Sequence, residues 1–146
     1  MQISKAKSHE LQQLVLNDKA CNETPWTMED YQNSLNNSKH TIYITKLGNE
    51  IIGCIVISQI FDESEILQFW IKGSQQGHGY GAQLINNTLH SVRLSGATIV
   101  FLEVASHNNK AIALYKKIGF KQVGLRKNYY LINNSRYDAL IMQIVF

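Results

Sequence analysis

At 146 residues, 45% of them hydrophobic and 17% charged, the chain has apolar material for one packed core and too little length for two ordinary domains. Residues 1–146 are therefore expected to form a single domain. The 14 basic and 11 acidic residues leave a net charge of +3, but they are interspersed, and the only adjacent basic pairs are Lys116 with Lys117 and Arg126 with Lys127. So dispersed a bias is no nucleic-acid footprint. Cys21 and Cys54 have no metal-ligand spacing and form no disulfide framework, which fits a reduced, cytoplasmic setting. The first residues lack an apolar signal region, and no apolar run reaches the roughly 18 residues of a membrane span, so neither export nor anchoring is expected.

Within residues 8–19, Leu11, Leu14 and Val15 recur at helical spacing, with Ser8 at the N-cap position. A short second helix is predicted after Thr27, because Thr27-Met28-Glu29-Asp30 has the form of a capping box and Trp26 stands just before the cap. Residues 41–45 and 51–61 are rich in Ile, Val and Tyr, and Leu47-Gly48-Asn49-Glu50 between them marks a hairpin. Asp62-Glu63-Ser64 turns the chain into a third apolar stretch, residues 66–71, which completes an antiparallel meander.

The second half alternates differently. A glycine-bearing loop at residues 73–79 leads into Ala82, Ile85, Leu89 and Val92 at helical spacing, then into a strand at residues 98–104, a unit that requires a parallel crossover. A helix over residues 109–118 is stopped by Gly119, and strand-like runs follow at residues 120–131 and 137–146. The expected fold is α/β, a mixed sheet of about six to seven strands with about four helices, antiparallel at its ends and parallel at its centre.

Gln76-Gly77-His78-Gly79-Tyr80-Gly81-Ala82 lies between the third strand and the helix after it. A helix start offers unpaired backbone N–H groups and the positive end of the dipole, and glycines let a phosphate approach that backbone. Gly77, Gly79 and Gly81 therefore form a candidate pyrophosphate cradle, with an ordinary strand-to-helix turn as the alternative. A dinucleotide fingerprint would place such a loop after an N-terminal strand with an acidic residue about 20 positions on. Glu103 falls near that distance, but three antiparallel strands precede the loop and exclude the reading.

Together with this loop, the stretch from Asn108 through Ala113-Leu114-Tyr115 to Gly119-Phe120 resembles the Gcn5-related N-acetyltransferase (GNAT) superfamily. Pro25-Trp26-Thr27, Leu102-Glu103-Val104, Ala111-Ile112-Ala113-Leu114-Tyr115 and Lys127-Asn128-Tyr129-Tyr130 with Asp138-Ala139-Leu140-Ile141-Met142 are similar to one branch of it. That branch holds the bacterial enzymes that acetylate the N-terminal alanine of a small-subunit ribosomal protein. The resemblance implies a centrally splayed sheet, acetyl-CoA as cosubstrate and a protein N-terminus as acceptor, with no direct nucleic-acid or membrane partner. It implies Glu103 as general base and Tyr115 as general acid. It also implies pairing of the Phe69, Trp70 and Ile71 backbone with the pantetheine arm, a hydrogen bond from Asn108 to the same arm, and a pyrophosphate held by Gly77, His78, Gly79, Tyr80, Gly81 and Ala82. Acetylation of a lysine side chain or a small amine, and a non-catalytic coenzyme A-binding module, are the alternatives.

Elementary chemistry agrees with those roles. The attacking amine must be neutral and the departing thiolate protonated, which calls for a base and an acid. An α-amino group, with a pKa near 7.7–8.0, needs far less help than lysine near 10.4. Glu103 sits in the apolar run Ile99-Val100-Phe101-Leu102, where a carboxylate requires a reason. Its plain alternative is a salt bridge at a sheet edge. For Tyr115 the alternative is a half-buried aromatic, and for Asn108 an N-cap. Trp70 replaces a residue that is small in the branch and should narrow the site near the acetyl group. Ser74 stands where a proline is common. Tyr137 replaces an acidic residue and so removes a charge that reads the acceptor. His78 is expected at the surface or near phosphate. No metal is expected, because the five histidines share no ligand spacing with one another or with the cysteines. Strand alternation allows at most one of Tyr129 and Tyr130 to face substrate.

Overall fold

The computed structural model describes all 146 residues. In chain order the elements are β1 (Gln2–Lys5), α1 (Leu11–Cys21), α2 (Met28–Leu35), β2 (His40–Leu47), β3 (Glu50–Ile60), β4 (Glu63–Ile71), α3 (Tyr80–Leu94), β5 (Ile99–Ala105), α4 (Asn109–Ile118), β6 (Lys121–Ile132) and β7 (Ser135–Val145). The seven strands form one sheet in the order β1-β2-β3-β4-β5-β7-β6. Only β4 and β5 run parallel; every other pairing is antiparallel. The mixed sheet and its four helices are those expected, with β1 added.

Three boundaries differ from expectation for local reasons. Ser8 begins a 3-10 turn instead of capping α1; the preceding Lys7 donates its backbone N–H to Glu10 Oε1 at 2.9 Å. The turn after β3 is made by Phe61, with φ of +56°, and Asp62, so Glu63 and Ser64 already belong to β4. Asn133 and Asn134, both at positive φ, close the β6–β7 hairpin as asparagines readily do. The capping box of α2 is present: Asp30 N–H donates to Thr27 Oγ1, and Thr27 N–H to Asp30 Oδ2.

Around β3 both faces of the sheet are covered, and β3 is accordingly buried from Ile51 to Ser58. Ile55 and Ile57 face the larger core with Leu84, Ile85 and Leu89 of α3 and Tyr115 of α4. Cys54 and Val56 face a smaller core with Leu11 and Leu14 of α1 and Tyr31 of α2. β3 thus contributes alternately to two cores, whereas β5 buries only its Val100, Leu102 and Val104 face.

The opening in the sheet has an identifiable cause. Gln68 pairs with Val56 and Ile66 with Ile57, so Leu67 is an extra residue on β4, a β-bulge. The parallel ladder runs from Glu63 with Ile99 to Ile66 with Leu102 and stops there. Past the bulge, β4 stays on β3 and leaves β5, while β5 stays on β7 through Ala105. The backbone edges of residues 67–71 and 103–105 therefore face each other without pairing.

Candidate active site

Two clefts meet at that opening. One, of about 700 Å³, lies between the glycine loop, the start of α3 and α4; the other, of about 510 Å³, lies between the α1–α2 connection, the splayed strands and β6. Cys21, Asn22, Phe69, Asn108 and Tyr115 line both. A molecule filling one would touch a molecule filling the other at these five residues.

The larger cleft has the chemistry of a phosphate site. Gly77 and Gly79 take φ of +81° and +84°, and Gly79 is the N-cap of α3. The backbone N–H groups of residues 77–82 donate to no protein acceptor, the ordinary condition of a helix start. Gly81 is closely packed: a Cβ there would lie 3.3 Å from both Leu114 Cδ2 and Phe69 Cζ, which would have to give way. Lys110 and Lys117 of α4 line the same cleft and add the positive charge that sequence reading had not assigned to it. Unpaired donors, a helix N-terminus and two lysines fit a pyrophosphate. Gly77, Gly79, Tyr80, Gly81 and Ala82 line this cleft, whereas His78 is exposed and turned out of it.

Beside the loop, Phe69, Trp70 and Ile71 present the free edge of β4. Trp70 corrects the expectation of a narrowed site. Its indole is buried in the smaller core and donates from Nε1 to Tyr31 Oη at 3.0 Å, so only its backbone borders the cleft. Asn108 caps α4 by accepting the Ala111 N–H on Oδ1 at 3.3 Å, which leaves its amide N–H groups free toward both clefts. Capping and donation are compatible in one side chain.

Tyr115 sits at the junction. Its ring is buried between Phe69 and Phe120, at centroid separations of 6.2 and 5.8 Å, and its hydroxyl makes no hydrogen bond to the protein. Burial, with the nearby Tyr130 adding to it, pushes its pKa well up, so the phenol keeps its proton throughout the physiological range. Cys21, also at the junction, has a thiol raised by burial and is a poor nucleophile in that state.

The smaller cleft is carboxylate-lined. Glu103 alternates on β5 with the buried Leu102 and Val104, which puts it on the opposite face of the sheet from the larger core. Its Oε1 lies 3.1 Å from Arg126 Nε, and that guanidinium sits 5.1 Å over the Tyr129 ring. The salt bridge and the cleft position hold together: Glu103 is 18% exposed and lines the cleft. Tyr130 is pushed up to about 12, first by burial and then by the charge of Glu103 and by Tyr129. Glu65 is raised by burial and by Glu103, with Arg126 partly offsetting both.

Two expectations change here. Tyr129 and Tyr130 both line the cleft, because the β6–β7 register shifts between Arg126 and Tyr130 and Asn128 takes φ of +55°, which breaks the alternation. Tyr137 is not a lining residue; it packs on His107 at 4.1 Å between centroids, and His107 in turn pairs with Glu23 of the α1–α2 connection at 3.0 Å. Glu65, Arg126 and Gln68 escaped sequence reading, since their relevance depends on strand pairing. No helix is long and apolar enough to cross a membrane, and no group of three or more His, Cys, Asp or Glu side chains is placed to hold a metal ion.

Known proteins bear on the same geometry. The chain is 28% identical over 141 residues to the [ribosomal protein bS18]-alanine N-acetyltransferase of Haemophilus influenzae, spanning 96% of this chain and 95% of that one. It is 31% identical over 126 residues to the N-alpha-acetyltransferase RimI of Mycobacterium tuberculosis, spanning 83% and 76%. Among solved structures, the ribosomal-protein-S18-alanine N-acetyltransferase of Escherichia coli superposes with a TM-score of 0.92 at 22% identity, covering 99% of this chain and 92% of that one. Arabidopsis thaliana NAA60 in complex with acetyl-CoA gives 0.86 at 21%, covering 99% and 98%. Residues 9–120, which include the bulged strand, the glycine loop and α4, match the acetyltransferase (GNAT) family, and the chain belongs to that family.

Proposed function

We propose that this chain is a cytoplasmic, single-domain N-α-acetyltransferase that moves the acetyl group of acetyl-CoA directly to a protein N-terminus, the acceptor being the N-terminal alanine of ribosomal protein bS18. The observation that carries the reading is the meeting of a cleft built for phosphates and a carboxylate-lined cleft at Tyr115. The Mycobacterium tuberculosis relative, named an N-alpha-acetyltransferase, supports the reaction, and the Haemophilus influenzae relative, named for bS18 alanine, supports the choice of acceptor.

Acetyl-CoA supplies an activated thioester. Lys110, Lys117 and the N–H groups of residues 77–82 hold its phosphates, and the free edge at Phe69 to Ile71 with Asn108 orients its arm. Glu103 takes one proton from the acceptor ammonium through water, leaving a neutral amine. As the C–N bond forms and the C–S bond breaks, the Tyr115 hydroxyl gives its proton to the departing sulfur. The nitrogen sheds its second proton to solvent, from which Tyr115 recovers one, and Glu103 releases its proton to solvent, so that each turnover frees one proton. The protonated Cys21 thiol at the junction favours direct transfer over an acetyl-cysteine route.

The test is to incubate the protein with acetyl-CoA and ribosomal proteins and to locate added acetyl groups by mass spectrometry. Acetyl on the alanine terminus of bS18 is the expected result. Acetyl confined to lysine side chains, or none at all, would overturn the reading.

A further inference from the structure

The smaller cleft holds two carboxylates in different circumstances. Glu65 pairs in register with Phe101, two residues before Glu103 on β5 and on the same face of the sheet. Both therefore project into the one cleft, Glu65 one rung before the strands part and Glu103 just past the parting. Glu103 is engaged by Arg126. Glu65 is partly buried, yet it has neither an ion pair nor a hydrogen bond within the protein. The titratable groups that share its cleft are Cys21, Glu103, Tyr115, Tyr129 and Tyr130, with Glu23 and His107; the guanidinium nearest to them, Arg126, is paired with Glu103.

A partly buried carboxylate without a partner is costly, and a cation delivered into the cleft would offset that cost. Resting on the N-terminal acetyltransferase reading above, we propose that Glu65 is the acceptor anchor: it binds the α-ammonium group of the incoming N-terminus and sets it beside Glu103. The two carboxylates then divide the work. Glu65 recognises the charged amine by a charge-assisted hydrogen bond, and the Arg126-paired Glu103 receives the proton that must leave before attack. Glu65 also lies on the half-sheet that carries the free β4 edge and Glu103 on the other, so an ammonium held between them sits at the opening toward Tyr115. The pKa of Glu65, raised by burial and by Glu103 and only partly offset by Arg126, agrees with a carboxylate that has no ion pair of its own.

The experiment uses two peptides of the bS18 N-terminal sequence, one beginning with alanine and one in which a propionyl group replaces the alanyl residue, so that only the amine is missing. Their affinities for the protein saturated with coenzyme A are measured by calorimetry, for the wild type, Glu65→Gln and Glu65→Asp. The wild type should prefer the amine-bearing peptide by about 10-fold or more, as expected of a hydrogen bond to a charged group. Glu65→Gln should lose most of that preference with acetyl-CoA affinity unchanged, and Glu65→Asp should keep part of it. Equal weakening of both peptides in Glu65→Gln would reveal a packing role and overturn the proposal, as would an unchanged preference. If the wild type acetylates no peptide N-terminus, the functional reading falls and this role with it; if it does and the preference survives in Glu65→Gln, only the role of Glu65 falls.

Discussion

In the proposed mechanism Tyr115 and Glu103 serve different steps, and their variants should differ accordingly. Tyr115→Phe keeps the ring between Phe69 and Phe120 and removes only the hydroxyl, so acetyl-CoA should bind almost normally while turnover falls by about 100- to 10,000-fold. Because burial raises the Tyr115 pKa, its proton is present on both sides of neutrality, and the defect should be flat from pH 6 to 9. Glu103→Gln should instead recover as pH rises through about 8, where the α-amine becomes neutral without a base. Steady-state rates across that range decide it. Near-native turnover in a folded Tyr115→Phe protein would remove Tyr115 from the chemistry. At this scale the cleft-lining residues legible in the sequence were those in local motifs, Glu103 in Leu102-Glu103-Val104 and Tyr115 in Ala113-Leu114-Tyr115. Arg126 and Glu65 were illegible because each meets Glu103 only through the pairings β5–β7–β6 and β4–β5. Trp70 misled for the same reason, its face being set by a bulge that no local pattern announces.

The glycine loop and the α1–α2 connection act as elements. In the loop, Gly79→Asp puts a carboxylate at the N-cap of α3, and Gly79→Asn puts a neutral side chain of the same shape there, at a φ of +84° that both residues tolerate better than most. Only Gln83 Nε2 lies near the new Cβ, at 3.9 Å, so packing should be spared in both. Acetyl-CoA affinity measured by calorimetry should fall much further for Asp than for Asn; equal affinities would clear the loop of any phosphate role. The α1–α2 connection is held by one fully buried carboxylate. Asp18 accepts hydrogen bonds from Tyr31 Oη at 2.6 Å, Asn22 Nδ2 at 2.6 Å, Trp26 N at 3.1 Å and Gln68 Nε2 at 3.1 Å. Asp18→Ala leaves those donors unpaired and should cost about 2–4 kcal/mol in denaturant unfolding. It should also weaken acceptor binding, because Asn22, Glu23, Thr24 and Trp26 line the smaller cleft. The helices and the meander were readable from period and caps, but this anchor was not, since nothing in residues 8–19 tells a buried Asp18 from a solvated one.

At the scale of the molecule, the sheet is two half-sheets, β1 to β4 and β5 to β7, whose only shared ladder runs along four residue pairs of β4 and β5. Residues 67–71 of one half and 103–105 of the other leave a gap bordered by both clefts. A ligand laid along it touches β4, the α3 start and α4 at once, so binding and cohesion of the halves are coupled. Acetyl-CoA at about 100 times its Kd should stabilise the native state by about 2.7 kcal/mol, provided the unfolded chain does not bind it. For a chain of this size that corresponds to a rise in Tm of about 5–11 °C, readable by thermal melting. Amide exchange adds where the stabilisation acts: slowing should centre on residues 69–71 and 77–82 and extend to α4, while β1 and the β6–β7 hairpin tip change little. Gly79→Asp should abolish both effects without lowering the melting point of the free protein by a similar amount. A Tm rise with no protection at the β4 edge or the glycine loop would mean that the cofactor binds elsewhere, and the placement of the phosphates in the larger cleft would have to be abandoned.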